Sequence, residues 1–176
     1  MMNSRFRLAG IAAALLLLVL LTGVAFADAE KTTFEWIEVG CAITPGQVWQ
    51  SGNVLHVRDE VHTAIVLSDE PLLRGTNTIV SNVNLNLKNG TGTGYGTLRA
   101  ELDAVDGAWE GRWSFQIEDG LFEGRAVSEG TGELRGKRLH STFEQIPLSE
   151  LDENPCPGAP VGAHAVRGVM LEPASN

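Results

Sequence analysis

Glu38 stands between Ile37 and Val39 and, at the two-residue period of a strand, shares a face with Trp36. Turned toward a core, that face would hold a partly buried carboxyl. Its pKa would rise because the charged form is poorly solvated there, which makes it a candidate general acid or base. In a chain with 22 acidic residues most carboxylates are solvated, and a solvated Glu38 is the expectation. Trp36, Trp49, Trp109 and Trp113, with Phe115 on the face of Trp109 and Trp113, offer an aromatic lining for a small apolar ligand, although such rings more often simply fill a core. His56 and His62 share a parity, yet six residues of extended chain hold them about 20 Å apart. With Asp59, Glu60, His140 or His164 they would complete a metal site only if Arg58-Asp59-Glu60 reversed the chain, so no metal is expected. Gly90, Gly92, Gly94 and Gly96 alternate and miss the spacing of a dinucleotide loop, and no Gly-Lys-Ser/Thr follows. Without a Gly-x-Ser-x-Gly elbow or a defensible Ser-His-Asp order, neither a cofactor nor a nucleophilic triad is expected.

The elements that must position these residues follow an export signal. Arg5 and Arg7 precede an apolar run from Leu8 to Leu21, and Ala25-Phe26-Ala27 supplies a small-x-small cleavage site before Asp28. Uncleaved, Leu8 to Ala27 would be about long enough to span a bilayer, but the cleavage site and the acidic residues after it favour removal. Residues 1–27 are therefore expected as a signal peptide, 28–150 as the folded domain and 151–176 as a tail, in a secreted or otherwise extracytoplasmic protein without stable membrane insertion. Met1–Ala27 hold two of the 13 basic residues and none of the 22 acidic ones, so the remainder carries 11 bases against 22 acids. Such a surface repels phosphate backbones and anionic head groups, which excludes nucleic acid as a partner. Cys41 and Cys156, an even pair in an exported chain, are expected to form a disulfide rather than a reactive or metal-binding thiol pair.

After Ala27 no window sustains helical spacing, whereas several alternate strictly. Ile79, Val83, Leu85 and Leu87 oppose Asn82, Asn84, Asn86 and Lys88; Leu98, Ala100, Leu102 and Ala104 oppose Thr97, Arg99, Glu101 and Asp103. Trp109, Gly111, Trp113, Phe115 and Ile117 then share one face against Glu110, Arg112, Ser114, Gln116 and Glu118. Asp106-Gly107 and Asp119-Gly120 read as two-residue hairpin turns, leading through Leu121 to Ser128 and a last strand from about Glu133 to Gln145. Upstream, Thr33–Cys41, Val48–Gln50, Val54–Val57 and Val61–Leu67 are shorter candidates. Eleven of the 20 glycines lie between Gly90 and Gly136, several inside strand patterns, as sharply coiled barrels require. The expected fold is all-β: a closed antiparallel up-and-down barrel of about eight strands, with an immunoglobulin-like sandwich as the alternative. The tail, with Pro155, Pro157, Pro160 and Pro173, reads as an irregular strap anchored by Cys156.

The runs Gly90-Thr91-Gly92-Thr93-Gly94-Tyr95-Gly96-Thr97, Gly107-Ala108-Trp109-Glu110-Gly111-Arg112-Trp113 and Gly130-Thr131-Gly132-Glu133-Leu134-Arg135-Gly136 resemble those of bacterial exported proteins with the allene oxide cyclase-type barrel. That group is similar in shape to dirigent proteins and, more distantly, to lipocalins and other calycins. The likeness covers roughly residues 34–145 and implies a closed eight-stranded barrel with an apolar interior. It does not extend to the plant cyclase's polar cavity residues, so it implies no activity.

The function expected is non-catalytic binding of a small apolar ligand or an extracellular partner, with Trp36, Glu38, Trp109, Trp113 and Phe115 as candidate ligand-binding residues. A cyclase- or isomerase-like enzyme steering an apolar substrate inside the barrel is one alternative, and a structural or adhesive surface protein another. The sequence sets no oligomeric state. Intact-mass spectrometry of the exported protein is expected to find a chain that begins at Asp28 and is two hydrogens lighter than its reduced form; a mass retaining Met1–Ala27 would refute cleavage.

Overall fold

A computed structural model describes residues 30–173; the expected signal segment and the last three residues lie outside the described residues. Nine strands follow one another: β1 (Glu30–Thr44), β2 (Gln47–Ser51), β3 (Val54–Leu67), β4 (Gly75–Asn86), β5 (Gly92–Leu102), β6 (Ala108–Glu118), β7 (Leu121–Gly130), β8 (Arg138–Ile146) and β9 (Gly162–Glu172). From β3 to β9 each strand pairs antiparallel with the next, and β1 pairs with both β9 and β3, so eight strands close a barrel. β2 is a flap on the first half of β3, running from Gln47 opposite Arg58 to Ser51 opposite Val54. The fold is the expected all-β closed barrel. No helix among the described residues is long and apolar enough to cross a membrane.

Alternation places Trp109, Trp113 and Ile117 of β6 inside, all buried, and Glu110 and Glu118 outside. The β6–β7 connection is the expected tight turn, with Asp119 and Gly120 both at positive φ (52° and 80°) as a type I′ turn requires. Asp106-Gly107, by contrast, ends a five-residue loop between Leu102 and Ala108. The last strands also differ from expectation. A 3-10 turn at Gly132–Leu134 buries Leu134 before β8 starts at Arg138. Within the expected irregular tail, residues 151–161 form no strand, but Gly162–Glu172 forms β9. Its Ala163, Val166 and Met170 are buried, a pattern that four nearby prolines and no charged alternation concealed.

Upstream, the two short candidates Val54–Val57 and Val61–Leu67 are one strand, β3, interrupted by a bulge between Val57 and Glu60, where Asp59 takes a φ of 55°. An added residue shifts parity: Leu55 and Val57 line the interior before the bulge, Glu60 and His62 after it. His56 and His62 thus face opposite sides.

Two loops and the 3-10 turn plug one end of the barrel. Leu73 of the β3–β4 loop and Leu134 of the 3-10 turn join Phe34, Ala100, Trp109, Leu139 and Met170 in one buried cluster, against which Leu72 and Val105 pack. Trp109, only 2% exposed, donates its indole N–H to the Leu72 carbonyl at 2.9 Å. At the opposite end the Cys41–Cys156 disulfide ties the strap to β1. Val39 and Ala163, on the outer face, are fully buried where the strap returns.

Several inward glycines are required by backbone approach. A Cβ on Gly96 would lie 1.7 Å from the Val80 carbonyl oxygen of β4, and one on Gly94 2.3 Å from the Phe115 ring. The first neighbour is backbone and cannot yield; the second is a ring stacked over a bare strand. Gly96→Ala is expected to destabilise the protein by about 3 kcal/mol through overpacking, read as a lowered urea midpoint; an unchanged midpoint would show that the β4–β5 approach is not tight.

Candidate functional site

Above the plug the interior is a cavity of about 380 Å³, within the range of small-molecule sites. It extends from Trp109 past Trp113 and Phe115 to Leu55, Leu85, Ile117 and Phe122 near the other end. There Ile43 and Val161 both line the cavity and stand about half-exposed, which marks the mouth.

One wall is aromatic. Trp113 and Phe115 stack with centroids 5.1 Å apart and planes 3° from parallel. Phe122 meets Phe115 edge-on at 5.1 Å, and Phe143 meets Trp113 edge-on at 6.4 Å. The space for these rings comes from Gly94 and Gly124, where a Cβ would fall 2.3 Å from Phe115 and 2.4 Å from Phe143 respectively.

The other wall, from β1, β3, β4 and β9, carries the polar groups. Glu38 faces inward here, which overturns the expectation of a solvated carboxylate. Alternation decides it: Trp36, Glu38 and Gly40 line the cavity, so the intervening Ile37 and Val39 face out. Asn77 on β4 donates Nδ2 to Glu38 Oε2 at 2.8 Å. Glu38 is partly buried and lines the cavity. Burial therefore holds its carboxyl above the ordinary carboxylate range, and the Asn77 hydrogen bond opposes this only in part. On β3, Glu60 Oε1 lies 2.8 Å from His62 Nε2. His164 on β9, directly opposite Glu38 in register, is held below the ordinary imidazole value, first by burial and then by the nearby His62. Its ring meets Phe143 edge-on at 6.0 Å, which joins the two walls.

Of the candidate residues, Trp36, Glu38, Trp109, Trp113 and Phe115 all line this one cavity, Trp109 as its floor. Trp49 does not. It lies outside on β2, 45% exposed, stacked on His56 at 5.1 Å with the Arg58 guanidinium 5.3 Å from its ring centre. Asn77, Glu60, His62 and His164 were not singled out as ligand contacts. Asn77 was legible, since it shares the parity of Ile79 and Ser81 on a strand whose inner face was already defined. His62 was not, because its inward direction depends on the bulge. No group of three or more His, Cys, Asp or Glu among the described residues is placed to hold a metal ion. The chemistry these residues offer is apolar enclosure, hydrogen bonding and proton transfer at a carboxyl whose pKa burial raises. No family model matches the chain, and no curated protein matches it.

Glu38 and His164 link stability to pH with opposite signs. A carboxyl with a raised folded pKa contributes stability below its ordinary 4.5 and loses it as pH rises through the folded value. A histidine with a depressed folded pKa contributes stability above its ordinary 6.5 and loses it as pH falls toward the folded value. Against Glu38→Gln, which stays neutral, the wild type is expected to lose up to about 1.4 kcal/mol per pH unit above 4.5 until the folded value is passed. Urea unfolding of both proteins across that range checks it; a pH-independent difference would place Glu38 in contact with bulk water.

Proposed function

We propose that this is an exported, ligand-holding barrel that encloses one small, mostly apolar molecule in the cavity between Trp109 and the mouth at Ile43 and Val161. The observation that carries this reading is the empty interior itself. Eight-stranded barrels commonly fill with their own side chains, whereas here Gly94, Gly124, Ala64, Ala100 and Ala126 take inward positions and leave about 380 Å³ beside a stacked aromatic wall. The rings supply dispersion and apolar contact without charge, and the plug keeps the far end dry. Export through a cleaved signal peptide accords with the disulfide. The resemblance to the allene oxide cyclase-type barrels belongs to this proposal, as a shared shape.

One observation favours a second reading, in which the barrel isomerises an apolar substrate. Glu38 combines burial, a raised pKa and a position on the cavity wall, as a proton donor to a substrate oxygen would. Enclosure would then steer the product by shape. The two readings separate on whether a molecule recovered from the barrel is chemically the one that was offered.

The neutral fluorophore N-phenyl-1-naphthylamine is expected to bind one per chain with a blue-shifted, brightened emission. Leu55→Trp, which narrows the open end, is expected to weaken it about tenfold or more while leaving the urea midpoint within about 1 kcal/mol of wild type. Failure of the probe to bind the wild type would defeat the holding reading.

A further inference from the structure

The polar wall narrows the class of ligand, an inference that rests on the holding reading above. Among the described residues, none that lines the cavity is Lys or Arg, and the two acids there, Glu38 and Glu60, are already engaged by Asn77 and His62. A carboxylate, phosphate or sulfate would lose its hydration there, gain no counter-charge and meet Glu60. The ligand is therefore neutral.

Two unserved hydrogen-bonding atoms then define its polar end. Asn77 is 5% exposed and spends Nδ2 on Glu38, but its buried Oδ1 has no donor. Trp36, two residues before Glu38 on the same face of β1, has a buried Nε1–H with no acceptor. Buried polar groups are nearly always paired, so a donor and an acceptor left unserved in one wall call for a group that is both. A carbonyl only accepts and an ammonium only donates; a hydroxyl does both through one atom. Both wall atoms are screened from water, and a hydroxyl oxygen is no smaller than a water, so side-chain rotation must open them to the guest.

We propose that the cavity takes a neutral, mostly apolar alcohol, whose hydroxyl seats beside Glu38, donating to Asn77 Oδ1 and accepting from Trp36 Nε1–H. The hydrocarbon part lies toward Trp113 and Phe115. Glu38 positions Asn77 through the 2.8 Å bond, so Glu38→Gln, which keeps an acceptor oxygen there, retains alcohol binding.

Three probes with one ring system test this on the full exported chain by calorimetry: naphthalene, 2-naphthalenemethanol and 2-naphthoate. Wild type is expected to bind the first two and to bind 2-naphthoate at least about a hundredfold more weakly than the alcohol. Asn77→Leu and Trp36→Phe are each expected to weaken 2-naphthalenemethanol about tenfold while changing naphthalene less than about twofold. Trp36→Phe keeps an aromatic ring and loses only the indole N–H and its bulk, so it remains informative where Asn77→Leu fails to fold. Parallel changes for alcohol and hydrocarbon, or tight 2-naphthoate binding, would overturn the proposal and assign the two wall atoms to water. Loss of naphthalene as well, in the wild type, would instead overturn the holding reading beneath it.

Discussion

β1 is hydrogen-bonded along both edges, to β9 and to β3, and that double pairing decides the rest of the molecule. Remove either ladder and the remaining strands form an open sheet with exposed edges and an apolar face turned to water. With both in place, every residue of the eight strands is committed to an inside or an outside, and the barrel acquires two distinct ends. The β1–β9 register runs unbroken from Glu30 opposite Glu172 to Gly40 opposite Gly162. The β1–β3 ladder accommodates a bulge between Gly40 and Ala42, and it is there that Cys41 meets Cys156. The disulfide therefore sits at the one irregular point of the closing strand. The loop it closes is long, and its restriction of the unfolded chain acts directly on the contact of highest sequence separation.

Closure alone does not make a cavity, because barrels of this size usually fill. The inner surface here divides by residue size. On β5, Gly92, Gly94 and Gly96 stand opposite Ile117, Phe115 and Trp113 of β6, so each large side chain lies over a residue with none. The rings flatten against the wall instead of crossing the axis. Toward the plug the same pairing continues, with Trp109 opposite Ala100, but there loop residues Leu73 and Leu134 come in from outside the strands to fill the space. The same small-against-large device yields a solid end and a hollow one, according to whether loops supply extra side chains.

Much of this was legible in the chain. Strict alternation in β4, β5 and β6 identifies their inner faces, and glycine at strand positions where it ordinarily weakens a sheet signals close approach. The limits were local and physical. A one-residue bulge at Asp59 reverses the parity of half a strand, so His62 and Glu60 face the cavity while His56 packs on Trp49, and no two-residue period reveals an insertion. β9 was obscured because Pro155, Pro157 and Pro160 belong to the strap that precedes it, while Gly162–Glu172 offers few polar outward residues, its outer face being partly covered. Glu38 was misplaced because composition weighs a carboxylate among 22 acids, whereas its direction is settled by the tight pairing of Val39 with Ile65 and Ala163.

Charge is sorted as sharply as size. Most of the acids that make this chain anionic lie outside, some beside arginine partners such as Arg99 with Glu101 and Arg138 with Glu129, where water screens them and the pairs contribute little. Of the acids among the described residues, Glu38 and Glu60 alone line the cavity, each with its own hydrogen-bonding partner and neither with a lysine or arginine. The interior so arranged shifts its own groups toward their uncharged forms, Glu38 upward and His164 downward in pKa, chiefly because ionisation there forfeits hydration that the wall replaces only in part. The same reason applies to any guest. A cavity whose burial shifts its own acid toward the protonated form disfavours ions by the same physics, and on the holding reading its selectivity rests on the few hydrogen bonds the wall leaves unmade.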